Sequence, residues 1–345
     1  MTYGVFSIVA NEISPSGCAS YTYDLAGSHP YVRAPWYQYS EQLIDDGAIN
    51  GEVHPAFPSL TGMVGSYRVT LFGYLGLRLL LDTLNVDPAL PPQVPHINYR
   101  TFYWQGHALD AISNQTHTTL TRLLKALSRA NTTFFTAPIP VTFGIDAVGD
   151  KTVSKSRNRV NNSATSTDDT KHFLLPPNGT LTLPNRRPYL NKTAPNNIAQ
   201  CRPVISNTEH IPGQFPLAAV DGARSTKWQP VSAITNSTIV VSLPEPFVPV
   251  VRFEFDWAAS PPQKFYIHLS NVTGDVGLLA TGSGNASLFA HVASETDVSV
   301  SRPRNSTAER VDPDAWRVVR PYESNTTSVV LGQPVWSGKW TFLTV

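Results

Sequence analysis

Proline sets the terms for this chain: 29 of its 345 residues are proline. Each one fixes φ and removes a backbone donor, which favours loops and short strands over a helical bundle. The prolines do not act evenly. Residues 1–84 read as helical and tightly packed, whereas "VDPALPPQVPHINYRTFYWQG" (86–106) is Pro-rich and then β-prone. The fold class expected is therefore α + β in several domains.

Local patterns fill in the elements. "YGVFSIVANEI" carries apolar residues at helical spacing, ended by Ser-Pro-Ser-Gly. "WYQYSEQLIDDGA" (36–48) is a second helix candidate with Trp36, Tyr39 and Leu43 along one face. "SYRVTLFGYLGLRLLLDTL" (66–84) is apolar nearly all round, which predicts a buried helix, with Gly73 and Gly76 marking close approach to a neighbour. "TRLLKALSRAN" (121–131) predicts a short helix, and "IPVTFGI" and "GTLTLP" predict strands either side of a polar insertion at 150–171. Residues 185–206 read as a linker. From 207 onward, "STIVVSLPEP", "VVRFEFDW" and "KFYIHLS" are short alternating runs between turns, the pattern of a β-sandwich.

Charge excludes some partners. Twenty-six basic residues against 25 acidic ones give a net charge of +1, with nothing to draw the chain to nucleic acid or an anionic membrane. The longest apolar stretch is interrupted by Arg78 and Asp82 and is too short to span a bilayer. Two cysteines, Cys18 and Cys201, show no metal-ligand spacing, and no metal or cofactor is expected.

Sequons point to the secretory route. Asn114, Asn131, Asn161, Asn178, Asn191, Asn236, Asn271, Asn285, Asn305 and Asn325 each head an N-x-S/T triplet, half of the chain's 20 asparagines. Roughly one in six is expected from Ser/Thr abundance. Such a chain belongs in an extracellular, cell-wall or vacuolar setting. "MTYGVFSIVANEISPSG" lacks a signal-peptide pattern, so Met1 reads as an internal methionine of a longer protein.

The stretch "PWYQYSEQ" (35–42) gathers Trp36, Tyr37, Gln38, Tyr39 and Ser40 beside Glu41. Stacking aromatics, amides and a carboxylate are what a glycosidic site needs: one carboxyl group activates water while another protonates the leaving oxygen. Spacing alone equally allows Glu41 as an exposed helix residue, and Asp45 and Asp46 are further available carboxylates. His54 and His96 read as structural.

The words "MTYGVFSIVANEISPSGCASYTY", "YVRAPWYQYSEQLIDD", "HPAFPSLTG", "LFGYLGLRL", "VDPALPPQVPH" and "YRTFYWQG" resemble, in order, the fungal acid trehalases of glycoside hydrolase family 65. The resemblance implies a partial (α/α)6 catalytic barrel over 1–84 and the family's C-terminal β domain over 85–184. It implies that Glu41 is the general base of an inverting hydrolysis of α,α-trehalose. It also implies that Trp36, Tyr37, Gln38, Ser40, Thr61 and Gly62 line the sugar site. The family's general acid would lie upstream of residue 1, so the chain alone is expected to be inactive. "TGMVG" (61–65) departs from the family's "T-G-H-G-G", putting Met63 and Val64 in place of a polar and a small residue.

The tail word "DGARSTKW" (221–228) is similar to discoidin-like, coagulation factor type C sandwiches. That implies a discoidin-like β-sandwich over 207–345 with a possible glycan or cell-wall ligand. Asp221 and Thr226 also read simply as turn residues, and Trp228 as a core plug. Two rivals remain: a disaccharide phosphorylase of the same family, and a non-catalytic glycan-binding β protein.

Overall fold

The computed structural model describes residues 2–14, 16–129, 135–144, 171–186, 196–232, 236–258, 262, 265–270, 290–295, 309–312, 316–319, 326–336 and 340–345. The chain divides into two compact units, Met1–Asn191 and Lys192–Val345. The insertion expected at 150–171 lies outside the described residues apart from Lys171, which opens a strand.

The first unit begins with helices α1 (Thr2–Ile13) and α2 (Ala19–Ser28), packed side by side. The face that α1 buries is polar. Ser7 donates to the Ser20 carbonyl at 2.7 Å, and the Asn11 amide donates to the carbonyls of Gly73 (2.9 Å) and Ala89 (3.0 Å). Val5, Phe6, Val9 and Ile13 are exposed on its other side.

The helix expected over 36–48 is not formed. The structure has instead a two-stranded hairpin, β1 (Val32–Arg33) with β2 (Gln38–Tyr39), followed by a long loop. The reason is competition for backbone groups. Ser40, Asp46 and Asn50 side chains bond neighbouring amides and carbonyls, and Arg33 occupies the Gln42 and Leu43 carbonyls that a helix would need.

The single buried helix expected over 66–84 is also corrected. Helix α3 (Leu60–Arg68) passes into a π-helical turn, Val69–Tyr74, and the chain then becomes strands β3 (Arg78–Leu79) and β4 (Leu84–Val86). Gly76 makes the break, with φ +64°. Both glycines do meet neighbours: a Cβ on Gly73 would lie 3.5 Å from Ile8, and one on Gly76 would lie 2.3 Å from the Asp87 carbonyl oxygen.

Two four-stranded sheets complete this unit. One runs β3-β4-β8-β9, with β8 (Ile139–Phe143) parallel to β4 and antiparallel to β9 (Lys171–Leu175). The other is antiparallel, with β5 (His96–Trp104), β6 (His107–Asn114), β7 (His117–Arg122) and β10 (Thr180–Pro184) in the order β10-β7-β6-β5. Leu84, Val86, Ile139 and Val141 of the first share a core with Tyr99, Phe102, Trp104, Leu109 and Leu120 of the second. A bulge between Tyr99 and Phe102 lets two successive residues, Arg100 and Thr101, face outward without losing that alignment. Gln105 and Gly106, both at positive φ, turn β5 into β6 as a two-residue hairpin.

The helix expected at 121–131 is replaced by the end of β7 and a 3-10 turn, Lys125–Leu127. Tertiary pairing overrides the local pattern: Arg122 is buried in the strand, and its guanidinium donates to the Ala137 carbonyl at 2.7 Å and to the Phe135 carbonyl.

In the second unit, two antiparallel sheets share a core. The five-stranded sheet has the order β11-β12-β19-β14-β15, from β11 (Val204–Ser206), β12 (Thr238–Ser242), β14 (Phe265–Ser270), β15 (Ala290–Glu295) and β19 (Trp340–Thr344). The four-stranded sheet has the order β13-β18-β17-β16, from β13 (Pro249–Asp256), β16 (Glu309–Asp312), β17 (Trp316–Val319) and β18 (Thr326–Trp336). Ile239, Val241, Phe265, Ile267 and Leu343 of one meet Val250, Val329 and Leu331 of the other. The 185–206 stretch thus carries structure at its ends, since Val204–Ser206 pairs with β12 and Arg186 pairs with Asp87. Asp221 is fully buried and holds a turn, accepting from the Ala223 amide (2.8 Å) and the Thr226 hydroxyl (2.7 Å); Trp228 packs on the core. No helix among the described residues is long and apolar enough to cross a membrane.

Gly76→Ala should destabilise the first unit by about 3 kcal/mol or more, because left-handed strain adds to a backbone clash. Chemical denaturation checks this; a loss below about 1 kcal/mol would mean the crossing at Asp87 is looser than described.

Candidate functional site

The residues singled out around position 41 lie on three backbone segments joined by hydrogen bonds. The β1–β2 hairpin presents Ala34–Tyr37 at its tip, with Tyr37 at φ 52°. Trp36 and Tyr37 are 80% and 74% exposed, so both rings stand open to solvent, while Gln38 is half-buried. After the hairpin, the Ser40 amide donates to the Tyr31 carbonyl at 2.8 Å.

Glu41 itself is tied to the third segment, 54–59. Its amide donates to the Ala56 carbonyl (3.1 Å), and its Oε2 accepts from the Ala56 amide (3.0 Å). The residue is exposed, and among the described residues no hydrogen bond reaches Oε1. One carboxylate oxygen is thus fixed by the backbone while the other is available to a water. Tyr39 links the same segments: its carbonyl accepts from the Ser59 amide at 2.7 Å.

Ser59 begins α3, whose first turn carries Thr61 and Gly62. Thr61 is exposed, with its hydroxyl 3.4 Å from that of Ser59. Gly62 is needed where it stands, since a Cβ there would lie 2.9 Å from the Tyr39 ring. Met63 and Val64, the departures from the family word, are exposed on this helix. His54 and His96 are both exposed, and His96 opens β5.

Sequence reasoning missed the group that organises this loop. Arg33 donates from Nε to Asp45 Oδ2 (2.5 Å), from Nη1 to the Pro30 carbonyl (2.8 Å), and from Nη2 to the carbonyls of Gln42 (2.9 Å) and Leu43 (2.8 Å). The other Asp45 oxygen accepts from the buried Ser40 hydroxyl. Asp45, a further available carboxylate by sequence, is in the loop the ion-pair partner of Arg33. The Ser40 hydroxyl and then the Arg33 guanidinium hold its carboxyl below the usual carboxylate range. The one available signal was the hairpin: "VR" and "QY" flanking a Pro-containing turn put Arg33 opposite Gln38.

Three sequon asparagines are described, Asn114, Asn178 and Asn236, and all are exposed. The other seven lie outside the described residues. Cys18 and Cys201 are both disulfide-bonded. No cluster of three or more His, Cys, Asp or Glu suited to a metal occurs among the described residues.

Residues 77–127 match the family model described as "Glycosyl hydrolase family 65, C-terminal domain". The whole chain is similar to a cell wall acid trehalase of Arthroderma benhamiae, 42% identical over 100% of this chain and 31% of that protein. It is likewise similar to an acid trehalase of Emericella nidulans, 38% identical over 100% of this chain and 31% of that one. A periplasmic or secreted acid trehalase of Candida glabrata is 29% identical over 70% of this chain and 20% of its own length. The chain therefore spans about a third of the length of the first two relatives.

The Asp45 geometry gives a pH dependence with a definite sign. A carboxyl whose folded pKa lies below its unfolded value, ~3.9, stabilises the fold above that pH and loses this contribution as pH falls through the folded pKa. The denaturation midpoint of Asp45→Asn should therefore fall short of the parent by a constant amount above about pH 5, with the gap closing below about pH 4. A gap that widens on acidification would contradict the pairing.

Proposed function

We propose, from the premise that this chain belongs to the fungal acid trehalase family, that it supplies the water-activating half of an inverting α,α-trehalase. Glu41 is the general base: Oε1 takes a proton from a water that attacks the anomeric carbon, while a second carboxyl group, not assigned to any residue of this chain, protonates the oxygen of the departing glucose. Trp36 and Tyr37 give the sugar apolar faces to stack on. Gln38, Thr61 and Gly62 shape the polar side of the subsite, whereas Ser40, expected there from the sequence, is buried with its hydroxyl on Asp45 and supports the loop instead. The observation that carries this reading is the pairing of Glu41 with Ala56, which restrains a carboxylate two residues after the hairpin strand Gln38–Tyr39 and leaves one of its oxygens unoccupied.

The same reading gives the helices a role. The helical residues 1–74 are part of an (α/α)6 barrel, which suits the outward apolar side of α1 and the exposed Phe57, Leu60, Val64 and Tyr67; strands β3 and β4, expected within the barrel, go with the β domain instead. Residues 85–184 are the family's β domain, and 207–345 are a discoidin-like sandwich with a cell-wall or glycan ligand. The protein works outside the cell or in the cell wall, in keeping with its sequons and with the names of its relatives.

Glu41→Gln in the full-length protein should lower kcat by at least about 100-fold while leaving the fold intact, since removing a general base costs that much or more. Trehalose hydrolysis assayed beside circular dichroism decides it, and near-normal turnover by a folded variant removes Glu41 from the mechanism. Peptide mapping after enzymatic deglycosylation should find Asn114 converted to Asp, as its exposed turn between β6 and β7 allows. An unmodified Asn114 would count against passage through the secretory route.

A further inference from the structure

We propose that Arg33 is a positioning residue for Glu41, a guanidinium clamp that holds the 40–45 loop so that the carboxylate keeps one orientation. This rests on the reading of Glu41 as the base.

The argument begins with where Glu41 sits. It lies on a loop, not on a helix or strand, and it is exposed, so side-chain packing does not fix it. Its bonds to Ala56 restrain it from one side only. On the other side Arg33 makes most of the side-chain bonds to the loop, with Asn50 adding bonds to Gln42 and Ile44. Four of its N–H directions are used, on Pro30 before the hairpin and on Gln42, Leu43 and Asp45 after it. Two of these acceptors are the backbone carbonyls immediately following Glu41. The clamp closes through Asp45, whose second oxygen takes the hydroxyl of Ser40, the residue immediately preceding Glu41. Glu41 is thus bracketed on both chain sides by groups that answer to one guanidinium.

The geometry calls for arginine specifically. A planar fork reaches a carboxylate and three carbonyls at once, whereas a lysine ammonium is a point charge that cannot span them. The Arg33 and Asp45 side chains are 25% and 39% exposed, so the pair contributes little as a surface salt bridge. Its value lies in geometry. Misplacing a catalytic group by ~1 Å can cost about 100-fold in rate.

The test compares Arg33→Ala, Arg33→Lys and Glu41→Gln in the full-length protein. Two readouts are used: amide hydrogen exchange over residues 40–45 and trehalose kinetics. Arg33→Ala should speed exchange at 40–45 while leaving exchange at Ile139–Phe143 unchanged. It should lower kcat about 10- to 100-fold with KM within about threefold. Arg33→Lys should not restore the rate, and added ethylguanidinium should restore part of it to Arg33→Ala. Unchanged exchange at 40–45, or normal kcat in Arg33→Ala while Glu41→Gln is inactive, would overturn the clamp. An active Glu41→Gln with faster exchange in Arg33→Ala would instead remove the base and leave the clamp standing. Should Arg33→Ala fail to fold, Asp45→Asn takes its place, with the same exchange and kcat outcomes deciding.

Discussion

The side-chain amide of Asn11 fixes the register of the first unit. Both of its hydrogens are used, on Gly73 and Ala89, and its oxygen accepts from the Ser20 hydroxyl at 3.3 Å. The backbone carbonyl of the same residue receives Arg186 at 3.0 Å, and Arg186 also holds Asp87 at 2.9 Å. Burial pushes the Asp87 carboxyl up, and the Arg186 guanidinium opposes that shift. Gly76 crosses Asp87 at the same place, too closely to admit any side chain. An apolar contact could slide by a residue at modest cost. A fully satisfied buried amide cannot, because every slip strands carbonyls without partners.

That arrangement has a consequence for α1. A helix that gives its inward face to Ser7 and Asn11 must carry its apolar residues elsewhere, and Val5, Phe6, Val9 and Ile13 face out. The hairpin and α3 continue the theme with Trp36, Tyr37, Leu60 and Tyr67. The β sheets of the same unit show the ordinary arrangement, with apolar residues turned into a shared core. Residues 1–68 therefore rely on polar bonds for position, whereas residues 77–186 rely on burial. The region that carries the candidate site is the one held by hydrogen bonds.

This division explains what could be read from the sequence. Strands β8 and β10 were legible because each carries its own pattern and pairs as that pattern dictates; the helical spacing of α1 was legible too, although the face it buries is the polar one. Gly73 and Gly76 were legible as close approaches, since nothing else excuses glycine in an apolar run. The 121–131 segment misled because a strand pairing with β6, together with the buried Arg122, outweighs helix-forming Leu, Lys and Ala. The 36–48 segment misled for a different reason: its Gln42 and Leu43 carbonyls go to the side chain of Arg33, 9 and 10 residues away, and no local period encodes that. The aromatic and carboxylate residues of the site stood out by type. The arginine that holds them did not, because its role exists only once the hairpin has turned.

In the proposed sugar site, the exposed rings and the restrained carboxylate would contribute on different terms. Trp36 and Tyr37 gain from stacking only when a ligand or neighbouring surface takes water off them, so their energy is realised on binding. Glu41 already has one oxygen committed to the Ala56 amide, so its orientation costs nothing further at the moment of reaction. Binding energy is therefore left to the aromatic hairpin and geometry to the polar loop. Because Arg33 sits at the last residue of β1 and reaches the loop after β2, one side chain joins the two, and the strand pairing that turns the aromatics outward also sets the guanidinium against the Gln42 and Leu43 carbonyls.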